Sequence, residues 1–407
     1  MIKHSVVAVM GTFDTKGQEI EFLIKAIEKA GAKVLTIDAG VFEPQSIEPD
    51  ISREEVSRVA GIELADILKK NDRGYALKHM INGAKVVLAK LYEEGKINAV
   101  ISLGGGTGTA IGTGAMKKLP IGFPKMMVST VASGNTREYV EDMDIIMMNS
   151  VVDIAGINRI TSSILTTAAN AIAGMAMGPV FDSSEGKPII VASMFGVTTP
   201  CVTAAKKYLD AAGFEVLVFP AHGIGGMAME SLIRSGIVSG VLDVTTTEWC
   251  DELVGGVLSA GPKRLDAAAQ CAIPQVVSVG ALDMVNFGTL ASVPDKFKNR
   301  NLYEHNTAYS LMRTTKEEST KLGEIISEKL SKCTAPCSLF LPLRGVSMFD
   351  APGMHFFGPE ENEALFEALR NGCDRSKVNI VEKDMHINDE QFALAMAMEL
   401  ERMIKNA

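Results

Sequence analysis

Three stretches in the first half of the chain combine glycine with hydroxyls in the way that holding a phosphate requires, and the first adds a cation. GTFDTKG (11–17) offers Gly11, the hydroxyls of Thr12 and Thr15, the carboxylate of Asp14 and the ammonium of Lys16. GGGTGTAIGTG (104–114) carries six glycines in eleven positions, among them Gly104, Gly105, Gly106 and Gly108, with Thr107 and Thr109 interleaved. Glycine lets the main chain approach an anion closely and turn its amides toward it. STVASGNT (129–136) adds Thr130, Ser133 and Gly134. Asp38, at the end of VLTID, stands where an acidic residue often accepts ribose hydroxyls. Neither G-x-x-x-x-G-K-[ST] nor G-x-G-x-x-G is spelled out, which argues against a P-loop ATPase and a typical NAD dehydrogenase. The competing reading is that these glycines serve only tight turns and close packing.

The second half is richer in reactive side chains. His222 in HGIGG, Glu248 after VLDVTTT, Asp283 in GALDMVNFG and His355 are candidates for general acid–base work on a small anionic metabolite. Arg313 in LMRTT and Arg344 in LRGVSMFDAPG are candidate anion clamps. Each of these residues has a structural alternative, bracing the backbone or an interface. No H-x3-H pair suggests a zinc site and no G-x-S-x-G marks an activated serine, so no metal centre is expected.

For such loops to face one ligand they must leave the same edge of a sheet. Residues 6–10 form a β-rich apolar run, and residues 18–30 place Ile20, Leu23, Ile24 and Ile27 at helical spacing. Thr15 followed by Gln18 has the form of a capping box, which predicts a helix start inside the GTFDTKG turn. A strand follows at 34–38, and others are predicted at 99–103, 125–129 and 145–148. The plan returns in the second half, with a strand at 189–196, a helix at 199–212 and strands at 216–221, 240–245, 275–280, 338–342 and 379–384. Gly11 aligns with Gly196 and Gly31 with Gly213. Alternating strands and helices predict an α/β protein of two Rossmann-like domains, with mostly parallel sheets covered by helices on both faces. Turn-forming residues at 178–188 place the boundary so that the domains are 1–182 and 183–407.

At 407 residues, two domains are also what core size favours. A net charge of −9 and the lack of a basic, aromatic-interleaved run argue against a nucleic-acid partner. The apolar run at 164–181 is interrupted by Thr166, Thr167 and Asn170 and is rich in Ala and Gly, so a buried helix is expected rather than a membrane span. MIKHSVVAVMG reads as a first strand rather than a targeting segment, and a cytoplasmic location with six reduced cysteines is the expectation.

The long motifs also resemble a known family. GTFDTKG, SLGGGTGT, LPIGFPKMMVSTVASGNT, NSVVDIAGIN, GVTTPCV, GVLDVTTTEWCDELVGGV, SVGALDMVNFG, SLMRTT, GVSMFDAPG and HIND run over essentially the whole chain. Together they resemble an uncharacterised family of bacteria, fungi and plants related to the N-terminal ATP-binding domain of the plant tobamovirus-resistance protein. The resemblance implies two Rossmann-like domains, homo-oligomerisation, and ATP, with Mg²⁺ as an optional companion, held in the first half. Carried onto matching positions, the nucleotide role falls on Gly11, Thr12, Asp14, Thr15 and Lys16, on 104–109, and on Thr130, Ser133 and Gly134. Three functions stay open at this point. They are ATP as a ligand or switch, an enzyme of a small anionic metabolite using ATP, and an assembly scaffold joined through the helix around 168–177.

Overall fold

Along the first strand, Val7 and Val9 pack into one hydrophobic layer and Ala8 and Met10 into another, so both faces of the sheet are covered. The computed structural model describes residues 5–179 and 186–406. They belong to two compact units, Met1–Asp182 and Ser183–Ala407. Of the expected linker at 178–188, residues 180–185 lie outside the described residues.

The first unit runs β1 (Val6–Gly11), α1 (Phe13–Lys29), β2 (Lys33–Asp38), α2 (Arg53–Val59), α3 (Leu64–Lys70), α4 (Arg73–Glu93), β3 (Ala99–Gly104), α5 (Gly106–Met116), β4 (Lys125–Ser129), α6 (Arg137–Val140), β5 (Ile146–Asn149) and α7 (Arg159–Met177). Its strands are all parallel, in the order β2-β1-β3-β4-β5. Ile20 and Leu23 of α1 and Leu165, Ala169 and Ile172 of α7 cover one face. Met80, Val87 and Leu88 of α4 and Ile111 of α5 cover the other.

Two expectations change in detail. α1 starts inside the GTFDTKG turn, as expected, but at Phe13 with Thr12 as its N-cap, and the Thr15–Gln18 capping box does not form. The reason is a cap from outside: Asp38 Oδ1, at the end of β2, accepts the Phe13 N–H at 3.2 Å. Lys16 leaves helical geometry (φ −128°, ψ 20°), a kink inside the first turns. The helix at 164–181 is α7, which is long and apolar enough to cross a membrane by length and composition alone. It is buried only along its stripe of Thr161, Leu165, Ala168, Ala169, Ile172, Ala173 and Ala176, the part that covers the sheet.

The second unit runs β6 (Ile189–Met194), α8 (Thr199–Ala211), β7 (Glu215–Pro220), α9 (Ile224–Arg234), β8 (Val238–Thr245), α10 (Glu248–Val254), α11 (Ala267–Gln270), β9 (Gln275–Gly280), β10 (Met284–Phe287), β11 (Leu302–Glu304), β12 (Ser310–Arg313), α12 (Lys316–Leu330), β13 (Cys337–Pro342), α13 (Pro359–Gly372), β14 (Val378–Lys383) and α14 (Glu390–Lys405). Its parallel sheet is ordered β14-β13-β9-β8-β6-β7, and β10-β12-β11 form a small antiparallel sheet. Read from the other side, the order is β7-β6-β8-β9, which matches the β2-β1-β3-β4 winding of the first unit. The small sheet escapes a reading by periodicity because its strands are only three or four residues long.

Candidate functional site

In the first sheet the chain winds outward from β1 to β2, then back past β1 to β3, so the winding reverses between β1 and β3. Loops leaving the two strands there cannot lie side by side, and the gap is where ligands sit in open parallel sheets. A cavity of about 620 Å³ occupies this position, lined by the loops after β1 and β3 and by α3 and α4.

The β1 loop contributes Thr12, Asp14, Thr15 and Lys16. Thr12 is the N-cap of α1, and its hydroxyl lies 2.8 Å from that of Thr15. Asp14 is only 7% exposed, and its Oδ2 accepts the N–H groups of Val41 (3.3 Å) and Phe42 (3.1 Å). Its Oδ1 is buried without a hydrogen-bond partner. Lys16 Nζ donates to the carbonyl of Ile154, so its cation is braced at the cavity wall. Gly11 is a packing glycine: a Cβ there would stand 2.8 Å from Ile20 Cδ1.

The β3 loop contributes Gly104, Gly105, Gly106, Thr107 and Gly108. The structure separates two kinds of glycine in it. A Cβ on Gly104 would meet Gly108 Cα at 2.8 Å, whereas on Gly105 or Gly106 it would find no atom closer than 3.6 or 3.8 Å. Gly105 is the N-cap of α5, so the first amides of that helix open into the cavity without intrahelical acceptors. Thr109 is fully buried and bonds Gly105 O (2.8 Å) and Ser129 Oγ (2.6 Å), holding the loop rather than a ligand.

Other candidates fall outside the cavity. Asp38 has no exposed surface; besides Phe13 N it accepts Gly40 N at 2.8 Å. Burial pushes its carboxyl up to about 6, against the lowering effect of the Gly40 and Phe13 amides. It caps α1 and is not placed to receive a ribose. Thr130, Ser133 and Gly134 do not line the cavity; Thr130 N bonds Gly104 O at 3.2 Å behind the β3 loop.

The four catalytic candidates of the second unit do not converge. Glu248 is buried and accepts Gly223 N (2.7 Å), Gly226 N (3.2 Å) and Arg264 Nε (2.6 Å). Arg264 is itself buried, forks onto Asp243 and also reaches Glu230 at 3.4 Å. Asp283 is fully buried and accepts the Ser347 hydroxyl at 2.6 Å, and burial pushes it up to about 7. His222 is exposed, and His355 is exposed with Nε2 at 3.1 Å from Leu302 O. Arg313 spends its guanidinium on the carbonyls of Phe356 and Gly358, on Thr314 and on Asn362. Arg344 pairs with Asp384 on the surface. Glu248, Asp283 and Arg313 brace buried turns, whereas His222, His355 and Arg344 stand on the surface. Five of the six cysteines are buried as small core residues and Cys271 is exposed. Among the described residues no cluster could hold a metal ion.

Residues 5–180 match the model of the Uncharacterised protein family (UPF0261) N-terminal domain, and residues 187–404 match that of its C-terminal domain. The chain belongs to the UPF0261 family. A UPF0261 protein of Clostridium tetani is 52% identical over 98% of this chain and 99% of its own. The ToMV resistance protein Tm-1(GCR237) of Solanum lycopersicum is 40% identical over 95% of this chain, which spans 54% of that protein. Among solved structures, a UDP-GlcNAc 2-epimerase of Methanocaldococcus jannaschii is 10% identical over 67% of this chain and 83% of its own, with a TM-score of 0.23, too distant to carry an argument.

In this UPF0261 chain the sequence reading missed half of the cavity. Ala39, Val41, Phe42, Ile67, Leu68, Ala76, Leu77, Met80 and Ile111 form an apolar wall, and Asn71, Asp72, Arg73 and Asp153 edge it. Most of the wall comes from the helices between β2 and β3. One signal was available: Arg73, Ala76, Leu77 and Met80 are spaced i, i+3, i+4, i+7 on one face of α4.

Proposed function

We propose that the first unit of this UPF0261 chain binds a nucleotide, ATP, in the cavity between the ends of β1 and β3. One observation carries the reading. The cavity has an apolar wall suited to a base on one side, and on the other the hydroxyls of Thr12 and Thr15 at the start of α1 and the uncapped first amides of α5. ATP is the nucleotide that the motif resemblance implies. The lining holds three carboxylates, Asp14, Asp72 and Asp153, against two cations, Lys16 and Arg73. A polyanion therefore gains from a divalent cation entering with it, which is the argument for Mg²⁺ as its companion.

The test is calorimetric titration of the purified chain with ATP, with and without Mg²⁺, alongside ADP and NAD. Saturable ATP binding near one site per chain, tighter with Mg²⁺, is the expected result. Absence of heat and of competition with every nucleotide would overturn the reading and leave the β3 glycines to packing.

A further inference from the structure

Arg73 is the first residue of α4, and its backbone is set by Asp72, whose side chain caps the helix through Tyr75 N at 3.0 Å. The side chain reaches to α5, where Nη2 donates to Thr107 Oγ1 at 2.6 Å. Among the described residues no carboxylate pairs with this guanidinium, nor with those of Arg137, Arg159 and Arg375, but of these four arginines Arg73 is the one that lines the cavity. The other cation lining the cavity, Lys16, is held by the Ile154 carbonyl. Arg73 thus stands with most of its donors uncommitted beside the first turn of α5, where the amides of Gly106, Thr107 and Gly108 lack helical acceptors.

The apolar wall fixes which way a ligand runs. Ala76, Leu77 and Met80 follow Arg73 along one face of α4. The seven residue steps from Met80 back to Arg73 span about 10 Å of helix axis. A base laid on the wall therefore sends its phosphates toward Arg73, and a chain of phosphates is needed to arrive there. The buried Asp14, with one carboxylate oxygen lacking a donor, lines the same cavity and marks it as more than a surface fold.

We propose that Arg73 is a specificity residue that reads the outermost phosphate of a nucleoside triphosphate. It exchanges the Thr107 hydroxyl for two phosphate oxygens and so ties α4 to α5 through the ligand. The inference rests on the nucleotide reading above. It adds that the site distinguishes nucleotides by the number of phosphates.

The experiment is titration of the wild-type chain, Arg73→Ala and Arg73→Lys with ATP, ADP and AMP, with circular dichroism to verify the fold. For Arg73→Ala, ATP affinity is expected to fall about 10- to 100-fold, with ADP and AMP changed less than about threefold. Lysine should restore part of the loss, because it supplies charge without the fork. An equal loss for all three nucleotides, or no loss for ATP, would overturn the role of Arg73 while leaving nucleotide binding in place. A wild-type chain that binds none of the three would remove the nucleotide reading and this proposal together.

Discussion

Gly226 and Glu248 are fitted to one another. The amide of Gly226 donates to Glu248 Oε1 at 3.2 Å, and a Cβ on Gly226 would stand 2.3 Å from Oε2. The same carboxylate takes Gly223 N and the buried Arg264, so the HGIGG turn, the start of α10 and the end of β8 are pinned by one cluster. Burial raises the Glu248 carboxyl, and Arg264 pulls it back down.

That cluster sets the first prediction. Arg264→Met leaves Asp243, Glu248 and Glu230 buried without their shared cation, and is expected to cost about 3–5 kcal/mol. Gly226→Ala, which forces a methyl into the carboxylate, should cost about 1–3 kcal/mol. Urea unfolding of both variants measures this, and unchanged midpoints would show that the cluster can rearrange without loss.

Glycines of the 104–114 stretch should divide in the same experiment. A Cβ on Gly112 would lie 2.7 Å from Ser102 Oγ and 2.8 Å from Met127 Sδ, so Gly112→Ala is expected to destabilise by about 1–3 kcal/mol. A Cβ on Gly105 has room, at φ −80°, so Gly105→Ala should change stability by less than about 1 kcal/mol while weakening ATP binding at least tenfold. A Gly105 variant that keeps full ATP affinity would place the phosphates elsewhere.

Asp38 predicts an unusual gain. Its carboxyl is raised by burial, with Asp14 adding a repulsion, from 3.8 to about 6. The raised value means that the folded chain holds the proton more tightly. Stability from this group is therefore greatest below about pH 4 and is lost as pH rises through about 6. Asp38→Asn keeps an acceptor for Phe13 N and Gly40 N but removes the charge. It should stabilise by about 2–3 kcal/mol at pH 7.5 and hardly at all at pH 4. Destabilisation at pH 7.5 would show that the ionised form is needed.

In the second unit Asp251 and Asp283 are both raised by burial to about 7. The sign is the same as for Asp38: the folded state takes up protons that the unfolded state releases. Melting temperature should therefore rise as pH is lowered from 8 to 6. In Asp283→Asn the rise should be smaller, since Asn has no proton to gain. A melting temperature that falls over this interval would contradict the burial of these carboxyls.

Much of this was legible from residue order alone. Apolar β-rich runs located β1, β3, β4 and β9 to within a residue, three of them ended by glycine, because strand formation in a sheet covered on both faces depends on a local pattern. The GTFDTKG and GGGTG loops were found because glycine and hydroxyls leave a mark over seven or fewer positions. The surroundings of Asp38, Glu248 and His355 were not legible, because residue type does not reveal whether a group points to solvent or to a neighbour's amide.

The sequence by itself determined the α/β class, the repeated strand–helix plan of the two units and the glycine- and hydroxyl-rich make-up of two strand-end loops, all consequences of short-range spacing and backbone geometry. Only the tertiary structure decided which loops meet. Reversal of the sheet between β1 and β3 brings Thr12 and Gly105 to one cavity although they lie far apart in the chain. Packing of α4 against α5 then adds Arg73, and burial turns Asp38 into a helix cap. Those outcomes depend on sheet order and on what each side chain finds once water is excluded, and neither is written in any local stretch of residues.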